Sequence, residues 1–297
     1  MKIFITGIES FLGSFLVKYL KKQNINFSGI DLVKKNKFTK KFNINDKNLG
    51  KIIPNKCDVV IHLAAVSSSN DFKINAEKAF NINVNGTINV IKSAIKKNVK
   101  QIIFASSEWV YGETKTGKKD EKSFINYENL GSEYGLSKII CENILKYYCS
   151  VYNINCTILR FGIIYGPRKN RNNWSAVESI LLNLFYGNKE ITIGSRKTAR
   201  RFIYAEDIAR GILASIGTQG INTFNLSGDK LITLKEIINT GCNILDTKCK
   251  IIEKNPKNFN VRNPDNKLIK KLTKWKPKYD FYSGAKKTIE SFKNQKF

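Results

Sequence analysis

The sequence predicts an α/β fold in which a doubly wound parallel sheet carries a smaller C-terminal lobe. Two observations predict this fold. Short apolar runs of β type alternate with amphipathic helical patterns up to about residue 161, and the first of these strands turns directly into a helix. Such alternation is typical of a parallel sheet covered by helices on both faces. The alternation becomes irregular after residue 165, so we expect residues 1–165 with 201–227 to form the main domain, and 166–200 with 228–297 the lobe.

The first thirteen residues predict a strand, a tight turn and a helix. An apolar run at Ile3–Ile5 ends at a Thr-Gly pair, and an apolar helical pattern follows at once. A turn with little side-chain bulk lets backbone amides at a helix N-terminus meet a pyrophosphate, although serine replaces the usual middle glycine here. An ordinary strand–turn–helix without a ligand is the alternative. The candidate dinucleotide-binding residues of this turn are Thr6, Gly7, Ser10, Phe11, Leu12 and Gly13.

The second strand, Ile25–Ile30, ends in an acidic residue. Asp31 lies near the spacing of roughly 20 residues at which a carboxylate accepts hydrogen bonds from the adenosine ribose. A carboxylate there repels a 2′-phosphate, which favours NAD over NADP, and the nearby Lys34 and Lys35 soften that preference. A solvated aspartate at a strand end is the alternative interpretation.

Composition narrows the classes of protein and partner. The chain is 42% hydrophobic and 25% charged, and its net charge of +27 comes from 43 lysines and 8 arginines scattered along the sequence. No RNA-binding signature accompanies that charge, so we expect no specific nucleic-acid partner. The sequence has no apolar run of membrane-spanning length and no signal-peptide pattern, which predicts a cytoplasmic protein. Six cysteines without a CxxC pair and a single histidine predict reduced thiols and no metal site.

The next elements bring small residues to a strand end. A weak third strand at 40–45 and a short helix at 48–53 precede the buried strand Cys57–Ala65. Its small final residues let the chain pass beneath a flat ligand, which makes Leu63, Ala64 and Ala65 candidate cofactor contacts. His62, in the same strand, is expected to be structural. A long helix from about Phe72 to Lys97 follows.

A strand from Gln101 to Ala105 delivers two serines and a glutamate to the carboxyl edge of the sheet, where ligands of such sheets bind. Next comes an amphipathic helix from Tyr134 through Tyr152, and then the strand Cys156–Phe161. The later pattern predicts helices at 175–185 and 205–216 and strands at 190–193 and 222–226.

The spacing Tyr-x-x-x-Lys occurs four times, at Tyr111/Lys115, Tyr134/Lys138, Tyr165/Lys169 and Tyr282/Lys286. Only the second pair opens a helix downstream of a strand that ends in serine. Four residues along a helix place both side chains on one face. The ammonium of Lys138, together with a bound nicotinamide cation, would move the pKa of the Tyr134 phenol towards neutrality. Ser107 would hydrogen-bond the same reacting oxygen.

These motifs occur together in a recognisable order. Besides the features above, the chain has Asn83-Val-Asn-Gly-Thr87, Val110-Tyr-Gly112, Tyr165-Gly-Pro-Arg168 and Arg200-Arg-Phe-Ile-Tyr204. Over about residues 1–280 this order resembles the extended short-chain dehydrogenase/reductase family, in its NAD-dependent nucleotide-sugar epimerase/dehydratase branch. The resemblance implies a Rossmann-type NAD-binding domain, a substrate-binding lobe and a homodimer formed through the helices near 72–97 and 132–152.

The resemblance also implies roles for individual residues. Tyr134 would be the base, Lys138 would bind the nicotinamide ribose and tune the phenol, and Ser107 would orient the sugar hydroxyl. Arg200 and Arg262 would contact the nucleotide diphosphate, for which a bidentate guanidinium is suited. The predicted catalytic residues are Tyr134, Lys138, Ser107 and Glu108. The further cofactor contacts are Asn83, Ser106, Tyr134 and Lys138, and the substrate contacts are Ser107, Glu108, Trp109, Tyr134, Arg168, Arg200 and Arg262.

Departures from the family pattern bear on the reaction. Dehydratases of this branch typically have a sequence similar to Thr-Asp-Glu after the strand, and decarboxylases have one similar to Thr-Ser-Glu. This chain has Ser107-Glu108-Trp109 at the aligned positions. The last carboxylate is missing, which favours an epimerase of the UDP-glucose 4-epimerase type that uses a transient 4-keto sugar. A 4,6-dehydratase, a reductase and a decarboxylase are alternatives, and a non-catalytic NAD- or RNA-binding member is an alternative of a different class. Ile163 replaces a sugar-contacting asparagine, which leaves the sugar and the base open.

Overall fold

The computed structural model describes residues 1–114, 117–168 and 174–293. Lys115, the asparagine-rich loop at 169–173 and the last residues of the predicted lobe, 294–297, lie outside the described residues. Within the described ranges the chain forms a seven-stranded sheet, three small sheets and helices on both faces of the large sheet.

The strands of the described residues, in chain order, are β1 (Lys2–Thr6), β2 (Asn26–Asp31), β3 (Thr39–Lys41), β4 (Val59–His62), β5 (Gln101–Ser107), β6 (Asn155–Phe161), β7 (Ile164–Tyr165), β8 (Glu190–Ile193), β9 (Ala199–Arg200), β10 (Ile203–Tyr204), β11 (Ile221–Leu226), β12 (Ile232–Thr233), β13 (Lys250–Glu253) and β14 (Val261–Arg262). The α-helices are α1 (Phe11–Lys22), α2 (Leu49–Ile52), α3 (Ser69–Ile74), α4 (Ala76–Phe80), α5 (Gly86–Lys96), α6 (Glu133–Val151), α7 (Ala176–Phe185), α8 (Ala205–Ala214), α9 (Leu234–Leu245), α10 (Lys267–Thr273) and α11 (Phe281–Phe292). A π-helical turn spans Asn81–Asn85, and 3₁₀ turns span Glu108–Tyr111 and Tyr127–Asn129.

The large sheet has the strand order β11, β6, β5, β4, β1, β2, β3, and its neighbouring strands are parallel. The chain builds outwards from β1 to β3 and then returns to place β4 on the other side of β1. Ile5 of β1 therefore lies beside Gly29 on one side and Ile61 on the other. This reversal opens a crevice beyond the carboxyl ends of β1 and β4, where such folds bind ligands. The predicted fold class is confirmed.

Alternate residues of β1 show how the sheet is covered on both faces. Ile3 and Ile5 pack in one apolar cluster with Leu16 of α1 and residues of α8. Phe4 points the other way and packs in a second cluster with Val90 of α5 and residues of α6. A period of two along a strand gives this division, and each fully buried side chain of this size stabilises the fold by roughly 1.5–3 kcal/mol.

The single helix predicted from about Phe72 to Lys97 is wrong. The chain instead forms α3, α4, the π-helical turn and α5. The break lies at Asn75, whose backbone has φ −154° and ψ 87° and whose side chain accepts a hydrogen bond of 2.8 Å from the amide of Lys78. An asparagine side chain that caps the next helix competes with continuation of the previous one. The other predicted elements exist, with bounds that differ by a few residues.

A third apolar cluster joins α7, α9 and α11, through residues such as Leu181, Ile237 and Ile289. The division into two lobes stays a prediction. Part of the range 228–297 packs against the large sheet, because Ile269 of α10 and Trp275 belong to the same cluster as β1 and α1.

The six cysteines are free thiols, and four of them are buried. No helix in the described part of the chain combines the length and apolarity needed to cross a bilayer. Within the same residues, no group of three histidine, cysteine, aspartate or glutamate side chains is arranged to hold a metal ion.

Candidate active site

The turn after β1 has no space for a side chain at either of its two glycines. Gly7 has φ +73°, and a Cβ atom there would lie 2.7 Å from the amide nitrogen of Ala64. A Cβ at Gly13 would lie 2.4 Å from the main-chain oxygen of Ile8. Ser10 caps α1 by accepting a hydrogen bond of 3.0 Å from the amide of Gly13. The first amides of a helix have no partner within the helix, which suits the binding of a pyrophosphate.

A cleft of about 260 Å³ opens beside this turn, between the carboxyl ends of β1, β2 and β4. Six of the predicted cofactor residues line it. Its other walls come from residues that the sequence analysis did not single out, and those after β3 could have been suspected because they follow a strand of the same parallel sheet. The predicted wall residues are Gly7, Ser10, Asp31, Leu63, Ala64 and Ala65, and the additional ones are Glu9, Ile30, Leu32, Phe42, Asn43, Ile44, Val66 and Ile82.

Asp31 lies at the end of β2 on the rim of this cleft. One of its carboxylate oxygens accepts a hydrogen bond of 3.0 Å from the amide of Glu9, which fixes the turn against the strand. The other oxygen accepts a longer hydrogen bond of 3.4 Å from the amide of Val33. A carboxylate has further lone pairs that can accept hydrogen bonds from ribose hydroxyls. The glycine turn, the helix start and this carboxylate together fit the adenosine and diphosphate parts of NAD.

Other predicted cofactor residues have side chains committed inside the protein. The Leu12 side chain is buried in the core, and the Phe11 ring lies beneath the Arg168 guanidinium at 3.9 Å. Asn83 bonds both main-chain groups of Val66, at 2.8 and 3.0 Å. Ser106 donates to Glu142 at 2.5 Å. Asn83 thus supports Val66, which lines the cleft. Direct contact of these side chains with a cofactor stays a prediction.

Thr6 belongs to a buried chain of hydrogen bonds with the single histidine. Its hydroxyl lies 2.7 Å from Nδ1 of His62, while Nε2 lies 3.1 Å from the Thr87 hydroxyl. Thr87 donates to the main-chain oxygen of Asn83 at 2.6 Å, so it accepts from Nε2–H and the Thr6 hydroxyl donates to Nδ1. Burial lowers the pKa of His62 to about 3, so the ring is neutral and structural.

The predicted catalytic triple comes together at the end of β5. Ser107 is the last residue of that strand, and Tyr134 and Lys138 lie in the first two turns of α6. Ser107 shares a hydrogen bond with the Tyr134 phenol. The Lys138 ammonium lies 5.6 Å from the centre of the Tyr134 ring and donates to the main-chain oxygen of Ala105 at 2.8 Å. A serine hydroxyl, a phenol and an ammonium are therefore grouped at the carboxyl edge of the sheet.

The electrostatics of this triple differ from the sequence-based expectation. Burial raises the pKa of Tyr134 to about 12, and the hydrogen bond with Ser107 opposes only part of that rise. Burial lowers the pKa of Lys138 to about 8. The protein's own groups therefore do not bring the phenol pKa towards neutrality, because the cost of burying a phenolate outweighs them.

A second group of charges lies directly after β5. The Glu108 side chain is fully buried, and its Oε1 lies 3.7 Å from Nε of Arg200 and 3.9 Å from a terminal nitrogen of Arg262. Arg262 is 2% exposed, pairs with Glu113 at 2.6 Å and stacks 3.6 Å from the centre of the Trp109 ring. The structure thus brings together four predicted substrate residues, and it adds Glu113, which the sequence analysis missed.

Arg168 lies apart from this group. Its Nε pairs with the buried carboxylate of Glu178 at 3.0 Å, and a terminal nitrogen donates to the main-chain oxygen of Ile164 at 3.0 Å. These contacts anchor it between β7 and α7, and its predicted role in substrate binding stays a prediction.

A buried network behind the triple was also missed. Glu142 lies one helical turn after Lys138 and forms a two-pronged pair with Arg160, at 3.0 and 2.7 Å. Arg160 also donates to the Tyr111 hydroxyl at 3.0 Å. The four-residue spacing from Lys138 to Glu142 and the scarcity of arginine were the available signals. The network joins α6 to β6 and to the 3₁₀ turn that carries Glu108.

Comparisons with known proteins agree with this fold. Residues 3–227 match the profile of a family described as NAD dependent epimerase/dehydratase. The chain is 30% identical, over 98% of both chains, to a protein of Methanocaldococcus jannaschii that carries the provisional name UDP-glucose 4-epimerase. It is 26% identical to UDP-glucuronic acid decarboxylase 6 of Arabidopsis thaliana, over 99% of this chain and 89% of that one. A solved UDP-glucose 4-epimerase of Thermotoga maritima with UDP-glucose has a TM-score of 0.88 and 24% identity, over 99% of both chains.

Proposed function

The chain belongs to the NAD-dependent epimerase/dehydratase family, and we propose that it is a nucleotide-sugar epimerase that works through a transient 4-keto sugar. One observation carries the proposal. Ser107, Tyr134 and Lys138 are grouped at the carboxyl end of β5, which pairs with β4, and residues that follow β4 line the cleft that fits NAD. A protein that only bound the dinucleotide would have no need of a phenol held between a serine and an ammonium.

NAD is the cofactor of this family, and the residues present fit it. Gly7 and Gly13 leave no space for side chains in the turn, and Asp31 offers oxygens to the ribose. When bound, NAD⁺ supplies the acceptor for a hydride from C4 of the sugar. The buried ammonium of Lys138 would bind the nicotinamide ribose and adds positive charge beside the phenol.

Tyr134 would accept the proton of the sugar 4-hydroxyl, while Ser107 hydrogen-bonds the same oxygen and orients it. Because burial holds the pKa of Tyr134 at about 12, a free phenolate would be scarce at neutral pH. Proton transfer to Tyr134 would therefore depend on the added positive charge of the bound cofactor. Rotation of the keto sugar in the pocket, return of the hydride to the opposite face of C4 and return of the proton from Tyr134 to the C4 oxygen would complete the inversion at C4.

The residues after β5 favour an epimerase over the related lyases. A dehydratase or decarboxylase requires additional acid and base groups near C5 or C6. Trp109 stands where those family branches have a glutamate, and its ring is covered by the guanidinium of Arg262. A decarboxylase is the second candidate, since a relative that covers 99% of this chain has that name.

Arg200 and Arg262 are the proposed contacts of the nucleotide diphosphate, because two guanidinium groups converge there beside the triple. We further propose a homodimer, in keeping with the exposed Tyr147 and Val151 on α6, and a cytoplasmic location, in keeping with six free thiols.

The test is incubation of the purified protein and NAD with a panel of UDP-, GDP-, CDP- and dTDP-sugars, followed by mass spectrometry and NMR. An epimerase leaves the mass unchanged and produces a new NMR spectrum. Loss of water or of carbon dioxide would show a dehydratase or a decarboxylase instead. Conversion that is equally fast in the Tyr134→Phe variant would contradict the proposed chemistry.

A further inference from the structure

The Glu108 carboxylate is in an unusual position for a charged group. The residue is 0% exposed, and among the described residues neither of its oxygens has a hydrogen-bond partner. A buried carboxylate without hydrogen bonds is strongly disfavoured unless cations compensate it. The compensation here comes from Arg200 and Arg262, both approaching the same oxygen at 3.7 and 3.9 Å.

The charges that face Glu108 come from three elements. Arg200 lies on β9, Arg262 lies on β14, and Glu113 lies in the loop after the 3₁₀ turn. Glu113 already pairs with Arg262 at 2.6 Å. Two guanidinium groups and two carboxylates therefore share one largely buried volume, and their formal charges cancel when both carboxylates are ionised.

An added anion would disturb this balance. The proposed ligand brings the two negative charges of its diphosphate to the same guanidinium groups, in a region that water screens poorly. One terminal nitrogen of Arg262 makes no hydrogen bond within the described part of the chain, so it has a donor to offer to a new acceptor. The carboxylate of Glu108, lacking any hydrogen-bond donor, is the group in this set that gains most by becoming neutral.

We propose that Glu108 is the internal counter-ion of Arg200 and Arg262, and that it takes up one proton from solvent when an anionic ligand binds to these two arginines. Glu108 is then a positioning residue, which holds the guanidinium groups in place before the ligand arrives. The identity of the ligand rests on the proposed function, whereas the exchange of charges does not. Burial already raises the pKa of Glu108 to about 7, although the charges of Arg262 and Arg200 lower it. A small further rise in this pKa is then enough to protonate the carboxylate at neutral pH.

Calorimetric titration measures this proton uptake directly. UDP-glucose is a suitable probe because its diphosphate has no group that titrates near neutrality, and NAD is bound beforehand in every titration. Buffers of different ionisation enthalpy convert proton uptake into a difference in heat. We expect uptake close to zero at about pH 6, where Glu108 is already neutral, rising towards one proton at about pH 8. Over that rise the affinity should fall with increasing pH, at most about tenfold per pH unit.

Two variants separate this role from a structural one. Glu108→Gln keeps the size of the side chain and should bind UDP-glucose with no proton uptake and with an affinity that changes little between about pH 6 and about pH 8. Glu113→Gln is the matched control, since it removes the other carboxylate partner of Arg262 and should leave the uptake in place. If Glu108→Gln does not fold, the wild-type and Glu113→Gln titrations still show whether a proton is taken up and whether Glu113 is the group that takes it up.

Sulfate, a second anion without a titrating group in this range, distinguishes the two proposals. Sulfate binding with proton uptake, without any binding of nucleotide sugars, would support the counter-ion role of Glu108 and refute the proposed function. Binding of UDP-glucose with the same heat in all buffers at about pH 8 would refute the counter-ion and leave the proposed function standing.

Discussion

The ammonium of Lys138 donates a hydrogen bond of 2.8 Å to the main-chain oxygen of Ala105, which ties the second turn of α6 to the end of β5. The same strand ends two residues later in Ser107. One side chain thus holds the helix that carries Tyr134 against the strand that carries its hydrogen-bond partner. The geometry of the triple depends on this buried charge.

Replacing Lys138 should lower activity and raise stability. Burial lowers its pKa from 10.5 to about 8, so at pH 7 the folded protein holds a charge that the unfolded chain solvates better. Lys138→Met should therefore raise the free energy of unfolding at pH 7 by up to about 3 kcal/mol, less about 1 kcal/mol for the lost hydrogen bond, while turnover falls. Urea denaturation measures the first effect, with the exposed Lys286→Met as control.

The lowered pKa of Lys138 should also change how stability depends on pH. Because the unfolded chain binds more protons at Lys138 between about pH 8 and pH 10.5, the wild-type contribution to stability should rise over that window. The advantage of Lys138→Met should shrink accordingly, and an advantage that stays constant up to pH 10.5 would contradict the assignment.

Tyr134→Phe should abolish turnover and spare cofactor binding, because it removes the acid–base group without emptying the pocket. Loss of a general base costs on the order of 10²–10⁴ in rate. Tyr282→Phe removes the exposed phenol of another Tyr-x-x-x-Lys pair and should change nothing. Conversion of the nucleotide sugar by NMR and NAD affinity by calorimetry give the two readouts; comparable losses in both variants would speak against Tyr134 as the base.

Gly7→Ala should weaken both folding and NAD binding. Its Cβ would lie 2.7 Å from the amide nitrogen of Ala64, at a residue with φ +73°. Gly187→Ala is the matched control, since it has φ +80° and open space around it. The control should cost on the order of 1 kcal/mol through backbone strain alone. Urea unfolding and NAD titration of both variants measure the difference, and an equal cost in both would show that the close contact with Ala64 is unimportant.

Glu108→Gln should change how stability depends on pH. Burial raises the pKa of Glu108 from 4.5 to about 7, so the folded protein binds more protons there than the unfolded chain within that window. The wild-type contribution is therefore present below pH 4.5 and lost as pH rises to about 7, a change of about 3 kcal/mol. Chemical denaturation at several pH values should show the variant gaining on the wild type over this window, and parallel curves would refute the assignment.

Tyr147→Lys should weaken the proposed homodimer. Tyr147 is 66% exposed on α6, close to other exposed apolar residues of that helix, and a charge there opposes apolar contact between copies. Tyr127→Lys is the control, at a similarly exposed tyrosine in the 3₁₀ turn before α6. Light scattering after gel filtration measures the mass, and a wild type that runs as a monomer would remove the proposal.

The sequence predicted the features that depend on short spacings. The turn at Gly7, the acidic end of β2 at Asp31 and the pair Tyr134/Lys138 each follow from a few residues whose geometry is local. The alternation of strands and helices then predicted the sheet, because parallel strands leave few ways to connect them.

Features that depend on distant contacts were not predictable in the same way. Asn75 breaks a helical pattern by capping the next helix, and the apolar periodicity around it does not indicate this break. Glu113 meets Arg262 across 149 residues. The raised pKa of Tyr134 follows from burial by several elements, which spacing along one helix cannot reveal.

His62, fixed as a neutral ring between two threonines, has a consequence for the whole protein. It is the only imidazole in the chain, and burial, which lowers its pKa to about 3, keeps it neutral through mildly acidic pH. Whatever response this protein has to mild acidification must then be carried by carboxyl, amino or phenolic groups in altered surroundings, and reagents aimed at histidine would find no target at its surface.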